Sequence, residues 1–275
     1  MKPLNVLAAA ALVAAALMPA TAIGQTRPKV QDLGIERPAS AIFIGNSFFY
    51  YNNSLHTQVL RLLWAANPDH RMRITSVTIS GSNAEWHDVE SYFRPNALGS
   101  FSFDADNNIV FNKVDRVFDL AVMMDCSLCP IHPQLKSVFH DSARKHSAAV
   151  RKHGAKPVWF MSWAYADKPD MIAELAEAYT KAGNDNDAFV IPAGLAFARA
   201  LKERPDLVLH ASDKRHPSLA GTYLAAATVY AALFKQSPVG SSYTAGIEAP
   251  TAKLLQSAAW DTVQDYFRAQ QAGTR

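Results

Sequence analysis

The strongest constraint on the fold of this chain is an alternation of short apolar runs with longer segments of helical periodicity. Apolar runs of strand length occur at 41–44, 74–79, 120–124, 158–161 and 189–192. Apolar residues recur at three-to-four spacing in 54–66, 137–152, 171–181, 195–202, 219–234 and 251–268. Largely continuous apolar strands are typical of a parallel sheet that helices cover on both faces. The alternation therefore predicts a three-layer α/β/α sandwich around a central parallel sheet of about five strands.

The first 22 residues have the pattern of a secretory signal peptide. Lys2 precedes an apolar stretch that ends near Met18, and small residues lead to a cleavage point after Ala22. An uncleaved membrane anchor is the alternative, but the apolar run is near the short end for spanning a bilayer. We expect an exported protein, periplasmic or secreted, with no integral membrane span after cleavage.

The rest of the chain is predicted to form one domain. Residues 23–37 are expected to be an extended leader, and no repeat or linker divides the domain from 38 to 275. The irregular stretch 92–117 contains a strong turn signal, which indicates a short hairpin flanking the site. Loss of Lys2 lowers the formal charge from +3 to +2. This weak, dispersed charge argues against nucleic acid as a partner, and the oligomeric state is left open.

Two short motifs far apart in the chain supply a nucleophile and its base. An apolar strand breaks at Gly45 and Asn46 into Ser47, which places the hydroxyl at the carboxyl end of a strand and just before a helix. The second motif contributes Asp213 and His216. A serine hydroxyl needs a base to take its proton and a third group to orient that base. Asn46 is interpreted as a residue that organises this loop through hydrogen bonds to the backbone.

The chain resembles the SGNH (GDSL-type) hydrolase superfamily, in particular a bacterial branch whose first block reads Gly-Asn-Ser. The resemblance rests on residues 42–53, 79–82, 118–127, 154–159 and 213–224, of which the first and last are the specific blocks. It implies a flavodoxin-like fold and a serine esterase. In such enzymes the serine of the first block is the nucleophile and the Asp-x-x-His pair completes the triad. Those roles fall here on Ser47, Asp213 and His216.

The resemblance also implies an oxyanion hole, which differs here from the family pattern. Its backbone donors would be the N–H groups of Ser47 and Gly81, where glycine would allow a close approach of the chain. The family places an Asn, or in this branch a Gln, where this chain has Asp125. An ionised carboxylate would repel an oxyanion, so Asn83 or Ser127 is a candidate replacement donor. Asp125 is then a candidate contact for a substrate hydroxyl or a cation.

Aromatic residues after the second and fourth strands are candidates for a substrate crevice. Trp86, Trp163 and Tyr165 would offer ring faces to sugars, with ordinary packing at the strand ends as the alternative. We therefore expect a small-molecule or glycan ester as substrate, with an acyl group on a carbohydrate preferred. The proposed chemistry requires no cofactor, and the histidines between 132 and 153 are expected to be solvated rather than metal-bound.

The two cysteines form a Cys-x-x-Cys motif. Cys126 and Cys129 follow an apolar strand and run into Pro130, which favours a local disulfide or inert thiols over a redox site.

Three functional hypotheses follow from the sequence. The first is an exported serine esterase, the second is a catalytically weak or inactive carbohydrate-binding or envelope protein on the same fold, and the third is a thiol-disulfide protein.

Overall fold

The computed structural model describes residues 26–98, 101–113 and 116–268. These residues form two β-sheets and eight α-helices. The strands are β1 (Ser40–Gly45), β2 (Arg73–Thr78), β3 (Phe101–Phe103), β4 (Ile109–Phe111), β5 (Leu120–Met123), β6 (Lys156–Phe160) and β7 (Phe189–Ile191). The helices are α1 (Ser47–Tyr50), α2 (Leu55–Ala66), α3 (Val89–Tyr92), α4 (Lys136–Lys152), α5 (Met171–Asp185), α6 (Ala193–Glu203), α7 (Leu219–Phe234) and α8 (Ala249–Phe267). The predicted signal peptide lies outside the described residues.

The central sheet has five parallel strands in the order β2-β1-β5-β6-β7. This is the flavodoxin-like order, in which the strand sequence reverses beside the first strand. The predicted parallel sheet of about five strands is confirmed. Since ligands in such sheets bind beyond the carboxyl ends of the strands, the turn after β1 lies at the expected place for a site.

Helices cover both faces of this sheet, because successive side chains of each strand point to opposite sides. Phe43 of β1 packs into one core with residues of α2, α6, α7 and α8. Its neighbour Ile44 packs into a second core with residues of α4 and α5. Both side chains are at most 2% exposed. The three-layer α/β/α sandwich predicted from the sequence is therefore confirmed.

Helix α7 is buried along almost its whole length, from Gly221 to Phe234. It packs against α2, α6 and α8. A helix surrounded in this way needs small side chains, and its sequence is rich in alanine. Its first turn lies directly after the motif that carries His216.

The structure adds elements that the periodicity did not predict. Helices α1 and α3 have four residues each, too short to show a period. The predicted hairpin in 92–117 exists as β3 and β4, and its place beside the site stays a prediction. Within the described residues, no helix is long and apolar enough to cross a membrane.

Candidate active site

The turn after β1 is organised by Asn46, which is only 3% exposed. Its Oδ1 accepts a hydrogen bond from the Phe48 N–H at 3.1 Å and so caps α1. Its Nδ2 donates to the carbonyl oxygens of Ser82 at 3.0 Å and Asp125 at 3.3 Å. One side chain therefore connects the segments that follow β1, β2 and β5, and it fixes the start of α1 at Ser47. This agrees with its interpretation as an organiser of the loop.

The structure brings Ser47, His216 and Asp213 into one hydrogen-bonded chain. The Ser47 Oγ lies 2.8 Å from His216 Nε2, and His216 Nδ1 is hydrogen-bonded to Asp213 Oδ2. A carboxylate only accepts hydrogen bonds, so Nδ1 carries the proton and Nε2 is free to accept one from the serine hydroxyl. The hydrogen bond from His216, aided by backbone N–H groups, lowers the pKa of Asp213 to about 2. Asp213 is therefore ionised at neutral pH.

A tight loop holds the imidazole in place. Asp213 Oδ1 accepts hydrogen bonds from the backbone N–H groups of Arg215 and His216, each at 3.0 Å. This is an Asx turn, in which an aspartate side chain organises the backbone just after it. Lys214 takes a left-handed conformation inside the turn, with φ of 65°. The carbonyl of Arg215 accepts a hydrogen bond from Trp163 Nε1 at 2.9 Å, which anchors the loop to the core.

Pro217, directly after His216, precedes helix α7 and is not part of it. Pro217 pairs with His210 in an isolated bridge. Ser218 is the N-cap of α7, and its Oγ accepts a hydrogen bond from the Gly221 N–H at 3.1 Å. At Gly221 an added Cβ would collide with the carbonyl oxygen of Leu209. The first turn of α7 thus packs against the segment that leads to His216.

Aromatic rings support the imidazole from two sides. Tyr51 stacks flat on His216, with ring centroids 4.3 Å apart and planes 9° apart. Phe48 meets the same ring edge-on at 5.4 Å. Behind Phe48, Trp163 is stacked between Phe48 and Phe197 and is 1% exposed. Neither face of Trp163 is open to a ligand, so the prediction that it contacts substrate is wrong; its ring supports the site from within the core.

A second loop, residues 79–87, faces this site from the end of β2, and we call it the donor loop. It begins with a turn in which the Ser82 N–H donates to the Ile79 carbonyl at 3.2 Å. Gly81 has φ of 70°, and no atom lies within 4 Å of the position its Cβ would take. Glycine suits this position because the backbone is left-handed, and the expected close approach of the chain to an oxyanion stays a prediction.

Asn83 and Asp125 differ sharply in how their side chains are used. Asn83 Oδ1 is buried without a hydrogen-bond partner among the described residues. Asp125 is 1% exposed, and its Oδ1 accepts from the backbone N–H groups of Ala84 at 2.8 Å and Cys126 at 2.7 Å. Burial raises the pKa of Asp125 to about 6. A carboxylate so buried and so bonded does not support the predicted contact with substrate.

The remaining candidates flank this region. Trp86, in a short 3₁₀ turn of the donor loop, is 60% exposed. Tyr165 is 8% exposed, with the Arg215 guanidinium 5.0 Å above its ring and its hydroxyl 2.8 Å from Ser127 Oγ. One face of the Tyr165 ring is therefore covered, and Ser127 already has a partner. Of the predicted aromatic contacts, Trp86 keeps a ring open to solvent.

The two cysteines are joined in a disulfide. Cys129 is 3% exposed, which suits a structural bond. Together with Asp125, the sulfur atoms of Cys126 and Cys129 form a group of potential metal ligands within 4.8 Å of one another. Disulfide sulfurs are not thiolates, so this group does not offer the ligands that a metal site of this kind needs.

Sequence reasoning missed one residue that joins the two motifs. Asn52 Nδ2 donates to the Pro217 carbonyl at 2.9 Å and to Thr222 Oγ1 at 2.8 Å. Asn52, Asn53 and Ser54 form a run of left-handed backbone, with φ between 52° and 68°. The sequence signal was the Asn-Asn pair, since asparagine tolerates this conformation better than most residues. Its bonds across 165 positions of chain were not predictable.

The fold and this arrangement at the carboxyl edge of the sheet define a class: the chain has the fold of the SGNH hydrolases. No protein-family model matches the chain, and no curated protein matches it significantly. A DUF4886 family protein from Bacteroides uniformis has 20% sequence identity and a TM-score of 0.58, covering 85% of this chain and 97% of that one. The resemblance to the superfamily is thus confirmed at the level of the fold.

Two further solved structures share this fold. A protein provisionally assigned as an SGNH hydrolase from Slackia heliotrinireducens is 21% identical, with a TM-score of 0.51 over 70% of this chain and 97% of that one. A catalytic mutant of Axe2, an acetylxylan esterase from Geobacillus stearothermophilus, is 14% identical, with a TM-score of 0.52 over 75% of this chain and 99% of that one. Because these identities are low, the likeness carries the fold, and activity has to be argued from the site.

Proposed function

We propose that this protein is an exported serine esterase that hydrolyses carboxylic esters through an acyl-enzyme on Ser47. The observation that carries the proposal is the 2.8 Å contact between Ser47 Oγ and His216 Nε2, with Nδ1 of the same ring bonded to Asp213. A nucleophile within hydrogen-bond reach of a base, itself oriented by a third group, is the arrangement that acyl transfer requires. The predicted signal peptide supports export.

The geometry supports a two-stage reaction. Ser47 Oγ attacks the ester carbonyl carbon while His216 Nε2 takes the hydroxyl proton, and Asp213 stabilises the imidazolium that forms. The bond from the carbonyl carbon to the alkoxide then breaks, the imidazolium protonates the alkoxide, and the alcohol leaves while the acyl group stays on Ser47 as an ester. Water attacks that ester with His216 again as base, and the acid is released as Ser47 regains its proton.

Three groups are available to stabilise the oxyanion. The Phe48 N–H is occupied by Asn46 Oδ1, while the preceding N–H of Ser47 has no partner within the first turn of α1. Gly81 lies in an open turn of the donor loop. Asn83 Oδ1 has no hydrogen-bond partner among the described residues, so this oxygen does not tie the carboxamide to the protein, and its Nδ2 is the side-chain donor that the donor loop offers. We propose the backbone N–H groups of Ser47 and Gly81, with the Asn83 side chain, as the donors.

An acyl group on a carbohydrate is the proposed substrate. Trp86 offers an exposed ring on the donor loop, three residues beyond Asn83, and aromatic faces suit sugar rings. The fold is shared with a protein described as an acetylxylan esterase, which makes acetylated sugars the first compounds to test. The alternative of a silent glycan-binding protein predicts binding without turnover.

The test is hydrolysis of p-nitrophenyl acetate and of acetylated xylo-oligosaccharides by the purified mature protein. Ser47→Ala and His216→Ala should each lower kcat by at least about a thousandfold, since removal of triad members leaves little catalysis. Ser242→Ala, which changes an exposed serine outside the site, is the matched control and should keep full activity. Wild-type turnover no higher than that of Ser47→Ala would refute the esterase proposal, and glycan binding by the same protein would then favour the alternative.

A further inference from the structure

Both polar backbone groups of Ala84 are held by buried side chains from elements far away in the sequence. The Ala84 N–H donates to Asp125 Oδ1 at 2.8 Å, just after β5. The Ala84 carbonyl oxygen lies 2.9 Å from His146 Nε2, on α4. A carbonyl oxygen only accepts, so His146 Nε2 carries the proton and donates it. Asp125 and His146 therefore hold one residue of the donor loop through hydrogen bonds to its N–H and its carbonyl oxygen.

The two hydrogen bonds to Ala84 are shielded from water. Ala84 is 3% exposed, Asp125 is 1% exposed and His146 is 2% exposed. Burial lowers the pKa of His146, so its ring is neutral at neutral pH and keeps one nitrogen as donor and one as acceptor. The Ala84 carbonyl oxygen also accepts from the His87 N–H at 3.2 Å, so loss of His146 would leave it one partner. The buried Ala84 N–H cannot turn to water if it loses Asp125, which makes that bond the costlier of the two to lose.

The loop is fixed at a second point. His87, 2% exposed, has its Nε2 3.1 Å from the Gly45 carbonyl oxygen and 3.2 Å from Ser82 Oγ. Asn46 Nδ2 donates to the Ser82 carbonyl, as described above. The segment between these anchors is short: Asn83 lies between Ser82 and Ala84. Its carboxamide thus projects from backbone that is held on both sides.

We infer that Asp125 and His146 are positioning residues, whose hydrogen bonds to Ala84 hold Asn83 and Gly81 at the place where the oxyanion forms. This inference rests on the proposed function and deepens it. It also explains how the chain manages with a carboxylate where related sequences carry an amide. Asp125 accepts from the loop rather than donating to the substrate, and the neighbouring Asn83 supplies the amide.

The test compares variants that remove a hydrogen bond with variants that keep it. Asp125→Ala and His146→Ala should each lower kcat about ten- to a hundredfold, with KM changed less than threefold, because displaced oxyanion donors act on the transition state. Asp125→Asn keeps an acceptor oxygen and His146→Gln keeps a donor N–H, so each should recover kcat to within about threefold of wild type. His140→Ala, another histidine of α4 without contact to the donor loop, is the control.

The double variant adds a second criterion. Because both side chains act through Ala84, Asp125→Ala with His146→Ala should lose little more activity than the worse single variant. Hydrogen exchange at the Ala84 amide should be faster in both alanine variants, while cooperative urea unfolding shows that each still folds. Alanine variants with wild-type kcat would overturn the inference. Equal losses in Asp125→Ala and Asp125→Asn would overturn it too, since a charge rather than an acceptor would then be needed. Wild-type turnover that depends on Ser47 keeps either outcome separate from failure of the esterase proposal.

Discussion

Replacing Asp125 by asparagine should stabilise the protein at neutral pH, and the gain in stability should be smaller in acid. Burial raises the pKa of Asp125 from 3.8 to about 6, with a smaller contribution from Glu85, against the opposing effect of its two backbone hydrogen bonds. In the unfolded chain the carboxyl titrates near 3.8. Between these two values the folded state therefore holds a proton that the unfolded state has lost, and stability falls as the pH rises.

The magnitude follows from the two pKa values. One pKa unit corresponds to about 1.36 kcal/mol, so a folded-state pKa of about 6 makes the ionised carboxylate cost about 3 kcal/mol above pH 6. About 2 kcal/mol of this cost develops between pH 4.5 and pH 8. Asparagine has no proton to lose and keeps an oxygen for the Ala84 N–H. The gain in unfolding free energy of Asp125→Asn over wild type should therefore grow by about 2 kcal/mol over that range.

The assay is urea unfolding of both proteins at pH 4.5, 6 and 8, without reductant so that the disulfide stays intact. Comparison at equal pH cancels the titration of the groups that do not interact with Asp125. Asp141→Asn is the matched control, because it makes the same substitution at a side chain that is 73% exposed. A difference between Asp125→Asn and wild type that does not change from pH 4.5 to pH 8 would refute the assignment of a raised pKa to Asp125.

Three further substitutions test how the site is supported. Tyr51→Leu removes the ring stacked on His216 and should lower kcat about three- to tenfold, because the imidazolium loses the stabilisation that the ring provides. Tyr51→Phe keeps the ring and should leave kcat unchanged. Equal kcat in the two variants would contradict a role for the ring. Gly81→Ala and Gly34→Ala have nearly equal left-handed φ and open space, so both should lose about 1 kcal/mol in urea unfolding, yet only Gly81→Ala should lower kcat. Gly221→Ala places a methyl group against a carbonyl oxygen and should lower unfolding free energy by about 1–3 kcal/mol; an unchanged thermal midpoint would show that α7 can shift freely.

Much of the fold could be predicted from local pattern. All five strands of the central sheet were expected within two residues of their observed ends, because buried parallel strands are nearly continuous in apolar residues. The helix expected at 219–234 is observed as Leu219–Phe234. The short helix that starts at Ser47 could not be bounded in the same way. It is set by a single cap from Asn46 and by contacts with distant loops, neither of which leaves a period in the sequence.

The site residues divide along the same line. Ser47, Asp213 and His216 could be proposed because each motif contains its own chemistry, and the structure places them in contact. The role of Trp163 could not be predicted, because the sequence around a tryptophan after a strand does not show whether its ring faces a crevice or the core. Its burial between Phe48 and Phe197 is a property of the packed sandwich.

The sequence by itself determined the layers of this protein, the order of its elements and the chemical groups available at the sheet edge, since apolar period and residue type act over a few neighbouring positions. Tertiary structure decided what those groups do. It buried Asp125 against the donor loop, left Asn83 Oδ1 without a partner among the described residues and set Tyr51 on the imidazole. Hydrogen bonds and desolvation depend on distances between residues far apart in the chain, and those distances exist only once the sheet and helices have packed.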